Sequence, residues 1–258
     1  MDFAFSILFF TLGLFLSMLL FLEVGRRIGG RRVAHDSEGA SAGVGAVEGA
    51  IFALLGLLVA FTFSGATARF DTRRELIIEE TNDIGTAYLR LDLLPADAQP
   101  TLRESFRQYV DARLEVYRKL PDVEAARVEL ETATRLQGEI WRQAVAACRE
   151  EPTPQAAMLL LPALNTMIDI TTTRTMAAQM HPPTIIFVML FGLALASALL
   201  AGYGMASAKS RSWLHMLSFA ATVAVAVYVI FDLEFPRLGL LRVDAFDQAL
   251  MDLRESMK

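Results

Sequence analysis

Uncharged residues run in long blocks toward both ends of the chain, and charge is concentrated between them. The block at 49–68 reads GAIFALLGLLVAFTFSGATA and holds no charged side chain. A helix needs roughly 20 such residues to cross a bilayer. Directly after it stand Arg69, Asp71, Arg73, Arg74, Glu75, Glu79, Glu80 and Asp83, with no proline before Pro95. This pattern predicts one long helix that leaves the membrane and continues as the first helix of a soluble bundle. A second uncharged run, 3–22, is rich in Phe and Leu. It lacks the basic leading region of a signal peptide and is longer than the apolar core of one, so it reads as an uncleaved first span. Runs at 184–208 and 212–231 give a third and a fourth span.

The middle of the chain carries helical periodicity. Leu102, Phe106, Val110, Leu114, Tyr117 and Leu120 recur at three- and four-residue steps, predicting a second bundle helix over about 101–120. Pro121-Asp122 breaks it, with Asp122 as a plausible N-cap. A third helix is predicted to 149, with Val123, Ala126, Leu130, Ala133, Ile140, Ala144 and Ala147 on one stripe. After a break at 150–154, a fourth runs over 155–181 with Leu161, Leu164, Ile168, Thr171, Thr175 and Ala178 as its seam. Pro182-Pro183 predicts a kink or restart at His181. The expected fold is all-α: four transmembrane helices, with a four-helix extramembrane bundle between the second and third spans and both of those spans continuous with bundle helices. The expected regions are 1–68 (the first two spans and a basic loop), 69–181 (bundle), 182–231 (the last two spans) and 232–258 (an outer tail with an amphipathic helix over about 243–257).

Composition agrees with a membrane protein. The chain is 54% hydrophobic and its mean hydropathy is +0.40. A net charge of -5 gives no support for nucleic-acid binding. The single cysteine, Cys148, excludes an intramolecular disulfide and a multi-cysteine metal site. His35, His181 and His215 are far apart, and no HExxH, GxSxG or phosphate-loop pattern occurs. Gly29-Gly30 and Gly43/Gly45 read as loop glycines with no preceding strand. The sequence therefore offers no catalytic residue, cofactor or metal, and an enzyme is not expected.

Arg26, Arg27, Arg31 and Arg32 follow the first span, and Lys209 and Arg211 follow the third. Basic residues in short loops mark the inside. The bundle and both termini are then expected outside, in the periplasm, with the chain in a bacterial inner (plasma) membrane. Arg69, Arg73 and Arg74 run against this assignment, but long segments translocate with little regard to charge. The four arginines also suit anionic lipid headgroups.

Three stretches carry a family resemblance. They are EGAIFALLGLLVAFTFSGATARFDTRRELIIEETNDIGTAYLRLDLLP at 48–95, RQYVDARLEVY at 107–117 and DLEFPRLGLLRV at 232–243. Together they resemble the bacterial bestrophin-like membrane proteins, a family whose domain has no assigned function and which is remote kin of the bestrophins. The resemblance implies kinship with pentameric anion channels, gated in animals by calcium. No aromatic neck pattern and no acidic calcium clasp of the animal kind accompanies it, so calcium gating is not carried over.

A channel needs polar groups along a watery path. Glu48 at the inner end of the second span would attract cations to a pore mouth, or would serve only as a charge favoured at a helix N-terminus. Thr62, Ser64 and Thr67 place hydroxyls near the outer end of that helix, for a path or for bonds to helix carbonyls. Glu79, Glu80, Asn82 and Asp83 cluster on the extension, where Glu79 and Asp83 share a face with Thr86, and Asn165, Asp169, Thr172 and Thr173 stand at similar spacing on the fourth bundle helix. Antiparallel packing would let these meet in a vestibule; otherwise they are a solvated face with salt bridges to Arg73, Arg74, Arg90 and Arg174. Asp232, Glu234 and Arg237 surround Pro236 at the outer end of the fourth span, the two acids serving either as a cation-attracting ring or in an Asp232–Arg237 or Glu234–Arg pair that fixes the tail. The expected function is a homo-oligomeric ion channel with its pore between protomers, conducting an inorganic ion of undecided sign. The alternative is a non-conducting membrane sensor or scaffold that binds a partner through its outer bundle.

Overall fold

The structure, a computed structural model, describes residues 3–33, 44–150, 154–207 and 211–257. His35, Gly43 and Lys209 lie outside the described residues, as do residues 151–153 of the predicted break and the Gly/Ala/Ser-rich stretch 34–43. Among the described residues the regular structure is helical throughout, in α1 (Phe3–Val33), α2 (Val44–Leu89), α3 (Gln99–Arg118), α4 (Val123–Glu150), α5 (Pro154–Gln179), α6 (Thr184–Gly204), α7 (Trp213–Glu234) and α8 (Asp247–Ser256). Four stretches are long and apolar enough to cross a membrane: Phe5–Arg32, Gly45–Leu93, Pro154–Gly204 and Trp213–Glu234.

Two compact units result. Met1–Ala68 with His181–Phe235 forms one, and Arg69–Met180 with Pro236–Lys258 forms the other. In the first, α1 packs against α6 and α7. Backbone approach between α1 and α6 is close, because each helix sets a glycine against the other's backbone: a Cβ on Gly25 would stand 1.9 Å from the Leu199 carbonyl oxygen. Small residues allow such contact in lipid, where helix association relies on van der Waals packing. Phe9, Phe10 and Leu14 share a hollow with Phe191 and Leu195, and farther along Gly29 meets Tyr203. The two helices therefore run parallel.

The predicted basic loop begins later than expected. α1 continues to Val33, so Arg26, Arg27, Arg31 and Arg32 are helical residues, and Gly29, Gly30 and Gly45 lie in helices rather than in loops. The extension has a local cause. Glu23 pairs with Arg26 at 3.1 Å and with Arg27 at 2.9 Å, at the i+3 and i+4 spacings that support a helix.

In the second unit, α3 packs on α4, α4 on α5 and α8 on α3. The distal part of α2 and α5 lie antiparallel: Arg73 donates to the carbonyls of Ala177 and Met180, Glu80 meets Arg174, and Arg90 donates to the carbonyl of Leu159. The core between them includes Ile84, Leu91, Leu102, Phe106, Val110, Ile140, Leu160 and Leu164, with Leu250 contributed by the tail. Burying a side chain such as Phe106 contributes about 1.5–3 kcal/mol. Asp122 caps α4, its Oδ1 accepting from the Ala125 amide at 3.0 Å.

The continuity predicted for the second span is present: α2 is helical from Val44 to Leu89, followed by a 3-10 turn, Arg90–Leu93, before Pro95. The continuity predicted for the third span is absent. α5 ends at Gln179, residues 180–183 are not helical, and α6 starts at Thr184. Pro182 and Pro183 offer no N–H to the ladder, and each disfavours helical geometry in the residue before it.

Candidate functional site

In the first unit the candidates are spread along helices. Glu48 lies against the C-terminal end of α6, where a Cβ on Gly204 would stand 3.2 Å from its Oε2. Glu48 Oε1 is buried without a hydrogen-bond partner among the described residues. Thr62 is buried and bonds the carbonyls of Leu58 and Val59, and Thr67 bonds that of Phe63. Ser64 is exposed. Asp232 and Glu234 are each 1% exposed. Glu234 Oε2 lies 3.4 Å from His181 Nδ1, and His181 stacks on Phe235. Glu23 collects Arg26, Arg27 and also Arg211, the last at 2.8 Å. Arg32 donates to the Tyr203 hydroxyl at 2.6 Å. Trp213 opens α7 half-exposed, with the Arg211 guanidinium over its ring.

In the second unit the grouped candidates differ in exposure. Glu79, Asn165 and Asp169 are exposed. Asp83 is half-buried, and burial together with the charges of Glu79 and Glu80 pushes its carboxyl above the ordinary range. The charge that matters most to this unit is Glu80, one residue from the predicted pair. It is fully buried between Arg113 and Arg174. Arg113 Nε donates to Glu80 Oε1 at 2.5 Å, and Arg174 Nη1 donates to Glu80 Oε2. Arg113 Nη2 donates to the Tyr117 hydroxyl at 2.7 Å. The Tyr117 ring lies under three guanidiniums, those of Arg174 at 3.9 Å, Arg237 at 4.2 Å and Arg113 at 5.3 Å. Such contacts are favourable because the ring face carries negative charge density, and they strengthen when desolvated.

The tail closes this network. Arg237 makes two bonds to Asp247, at 2.7 and 2.9 Å, and a third to Asp244 at 3.2 Å. Arg174 Nη2 reaches Asp247 at 3.3 Å. Beside it, Tyr109, Thr171 and Gln137 form a closed triangle of hydrogen bonds at 2.9 to 3.1 Å. Burial alone would push the Glu80 carboxyl up; the two guanidiniums outweigh it and hold the group at about 2. Burial likewise opposes charge on Arg113, and Tyr117 and Glu80 reverse that, so its guanidinium stays above its ordinary range. Tyr109 is pushed up to about 12 by burial.

No group of three or more His, Cys, Asp or Glu among the described residues is arranged to hold a metal ion. The family model described as a bestrophin-like domain matches residues 12–245. The chain belongs to the bestrophin-like family. In fold this bestrophin-like chain is similar to two crystal structures of a bacterial bestrophin homologue from Klebsiella pneumoniae. One carries a tryptophan-to-alanine mutation; the TM-score is 0.69 at 14% identity, covering 95% of this chain and 98% of the other. The second carries a tyrosine-to-alanine mutation, with a TM-score of 0.67, 14% identity and coverage of 92% and 98%. No curated protein matches the chain. Family and apolar helices together make it a membrane protein.

The burial of this bestrophin-like protein's network and the part of Arg113 in it escaped the sequence reading, which offered a salt bridge from the acidic cluster to Arg174 only on a solvated face, although a signal for the rest was present. Ile77, Glu80, Ile84, Ala87 and Leu91 are buried at three- and four-residue steps, which places a carboxylate in an apolar seam. Arg113 interrupts the α3 seam between Tyr109 and Leu114, and Arg174 follows Met167 and Thr171 on α5. A charge at a seam position in each of three neighbouring helices is the pattern of a buried ion network, because isolated charges there would be far too costly.

Proposed function

We propose that this bestrophin-like protein is the protomer of a homo-oligomeric ion channel of a bacterial inner membrane, with its conduction path between protomers and its bundle and termini on the periplasmic side. The state of α2 carries the reading. Of residues 49–68, only Leu55, Thr62 and Ala66 are buried. Gly49, Ala53, Gly56, Ala60 and Ser64 recur along an exposed face, and a Cβ on Gly49 or Gly56 would meet nothing within 4 Å. In α1 and α6 the small residues Gly25, Gly29 and Gly202 are used up by contacts inside the protomer, while Gly13 and Gly192 are open. In α2 they are left open, which suits either close packing against a neighbouring copy or the lining of a narrow path.

The exposed face of the second unit supports the same reading. The outward face of α4 is laced with ion pairs such as Arg127–Glu124 and Arg135–Glu139, which is ordinary solvated helix. Outward residues of distal α2 and α5 are different: Ile78, Asn82, Thr86 and Leu89 on one, and Met158, Asn165, Asp169, Thr173 and Met176 on the other. Exposed apolar residues mixed with small polar ones mark contact surfaces. Ser64, Glu79, Asn165 and Asp169 are the side chains offered to a path, with Glu48 and Asp83 half-buried beside it. Thr62 and Thr67 are engaged with helix carbonyls, and Asp232 and Glu234 are shut from water. Arg26, Arg27, Arg31 and Arg32 are assigned to the inner lipid headgroups, Arg27 being more open than Arg26, at 71% against 30%.

Planar-bilayer recording of the purified protein tests the proposal. Kinship favours anions, whereas Glu48 and Glu79 favour cations, and the reversal potential in a salt gradient separates the two. Silence in every salt removes the channel. Silent bilayers with a stoichiometric co-purifying protein would instead support the sensor or scaffold, a reading favoured by the unbroken course of α2 from the uncharged run into charged sequence.

A further inference from the structure

Where α1 leaves its uncharged run, one carboxylate holds three guanidiniums. Glu23 accepts from Arg26 Nε at 3.1 Å, from Arg27 Nε at 2.9 Å and from Arg211 Nη2 at 2.8 Å. Arg26 and Arg27 belong to α1 and Arg211 stands just before α7, so the carboxylate ties two elements together. One negative charge does not balance three positive ones. Glu48, the other acid among the described residues of this end, lies against Gly204, its Oε1 without a hydrogen-bond partner among the described residues. Residues 23–48 and 205–215 together hold six Lys and Arg against Glu23, Asp36, Glu38 and Glu48, so the excess survives a full count. Arg27 uses only its Nε here, and its side chain is 71% exposed. Its Nη1 and Nη2 are left for an outside acceptor.

The sequence sets the level of this cluster. Residues 3–22 are uncharged, and that many helical residues at about 1.5 Å each span about 30 Å, the thickness of the hydrocarbon. Glu23 therefore stands at its edge. Trp213 opens the last uncharged run at the same level, with the Arg211 guanidinium 5.6 Å from its ring centre. Val24 and Ile28 share a helix face with Arg27, and both are exposed, as is Leu214 on α7. A soluble anion leaves such apolar side chains bare, whereas acyl chains cover them.

We propose that this cluster is a site for one anionic glycerophospholipid per protomer, with its phosphate on Arg27 and Arg211 and its chains over Val24, Ile28 and Leu214. The proposal rests on the headgroup assignment made above for the α1 arginines, adds Arg211 to it, and names the lipid class. Arg27 and Arg211 donate to the same atom, Glu23 Oε1, so their guanidiniums are neighbours that one phosphate can reach together. Two phosphate oxygens match the open fork of Arg27. A zwitterionic headgroup would bring a cation of its own to a site already in positive excess, which selects the anionic class. Because the phosphate bridges α1 and the segment before α7, occupancy couples the stability of the first unit to lipid charge.

The test uses the full chain, delipidated in a nonionic detergent, with the melting temperature followed as lipid is added. Phosphatidylglycerol is expected to give a saturable rise, and native mass spectrometry to count one bound lipid per protomer. Phosphatidylcholine with the same chains is expected to give a much smaller rise, and glycerol phosphate, which lacks chains, none. Arg27→Gln and Arg211→Gln, at side chains 71% and 41% exposed, leave the core intact. Each is expected to weaken phosphatidylglycerol about tenfold, as loss of a charge-assisted hydrogen bond implies. Arg127→Gln, the same charge change on an exposed position of α4, is expected to leave the affinity unchanged. Micelles make the measurement independent of conduction, so its failure leaves the channel standing and silent bilayers leave this site standing. A phosphatidylglycerol response that Arg27→Gln and Arg211→Gln both leave unaltered overturns this site alone. Equal rises from the two lipids overturn the site and the headgroup assignment together. A rise with glycerol phosphate equal to that with phosphatidylglycerol overturns the proposal in favour of a soluble phosphate.

Discussion

A methyl group on Gly202 would stand 2.0 Å from the carbonyl oxygen of Leu22. The obstacle is backbone, and it cannot rotate away. Gly202→Ala is therefore expected to force α1 and α6 apart and to destabilise the protomer by about 3 kcal/mol or more, at the upper end of overpacking costs. Gly56→Ala is expected to leave the protomer's melting temperature unchanged, because nothing lies within 4 Å of its added carbon. If the small-residue face of α2 packs against a neighbouring copy, Gly56→Ala shifts the assembly to smaller species. Size-exclusion chromatography with light scattering measures this, and an unaltered mass for Gly56→Ala would remove that face from the interface.

Glu80 makes the second unit sensitive to acid. Its carboxyl is held at about 2 in the folded protein, against an ordinary value of 4.5. The depressed value means that the folded state favours the ionised form. Its contribution is complete above the ordinary value and is lost as pH falls from about 4.5 to about 2. Glu80→Gln leaves Arg113 and Arg174 buried without their shared carboxylate, a change expected to cost about 3–5 kcal/mol. The variant's stability, followed by urea unfolding, is expected to vary less over that acid window than the native protein's. Parallel pH profiles for the two proteins would refute the assignment.

Much of this fold was readable from residue order. Uncharged runs and proline positions located the four apolar stretches, the long α2 and the restart after Pro182-Pro183, because each depends on local chemistry. The α1 extension was missed because Arg26, Arg27 and two glycines look like loop; only the contacts of Glu23, and of Gly25 with Leu199, explain their helical state. The α5 seam was placed in part. Leu164 and Thr171 are buried as expected and Leu161 and Ile168 pack against the core, but Leu160, Ala163, Met167 and Arg174 are buried as well and Ala178 is exposed, since a helix rich in Leu, Met and Thr shows little contrast between its faces. Burial within the acidic cluster was hidden for a related reason. Glu79 and Glu80 are neighbours in sequence, and only packing against Arg113 and Arg174 separates an exposed carboxylate from a buried one.

Cys148 gives a convenient chemical background. It packs beside the core of the second unit, and burial pushes its thiol above the ordinary 9.0. The thiolate is the reactive form, so native Cys148 is expected to react slowly with maleimide at neutral pH and to accelerate at pH values beyond those for an exposed thiol. In a Cys148→Ser chain, Ser64→Cys is then the only thiol. Fast labelling by a charged, membrane-impermeant reagent is expected if this face of α2 lines water. Labelling no faster than at Leu54→Cys, on an exposed apolar position of the same helix, would show that Ser64 faces lipid.

The tail is held by charge as well as by apolar contact. Asp247 accepts from Arg237 and Arg174, and is 13% exposed. Leu250 is buried, and Leu253 lies 3.3 Å from where a Cβ on Gly85 would be. Asp247→Ala removes the acceptor that two guanidiniums share, and breaking one partner out of such a set is expected to cost about 3 kcal/mol. Because α8 is short, at 10 residues, that loss is expected to appear first as local opening rather than global unfolding. Limited proteolysis in detergent should then cut near Arg242 or Arg254 many times faster than in the native chain, while the rest of the chain stays resistant. Glu255→Ala, at an exposed position of the same helix, should leave the cleavage rate unchanged. Equal cleavage of native protein and Asp247→Ala would mean that the apolar contacts of Leu250 and Leu253 hold the tail without the ion network.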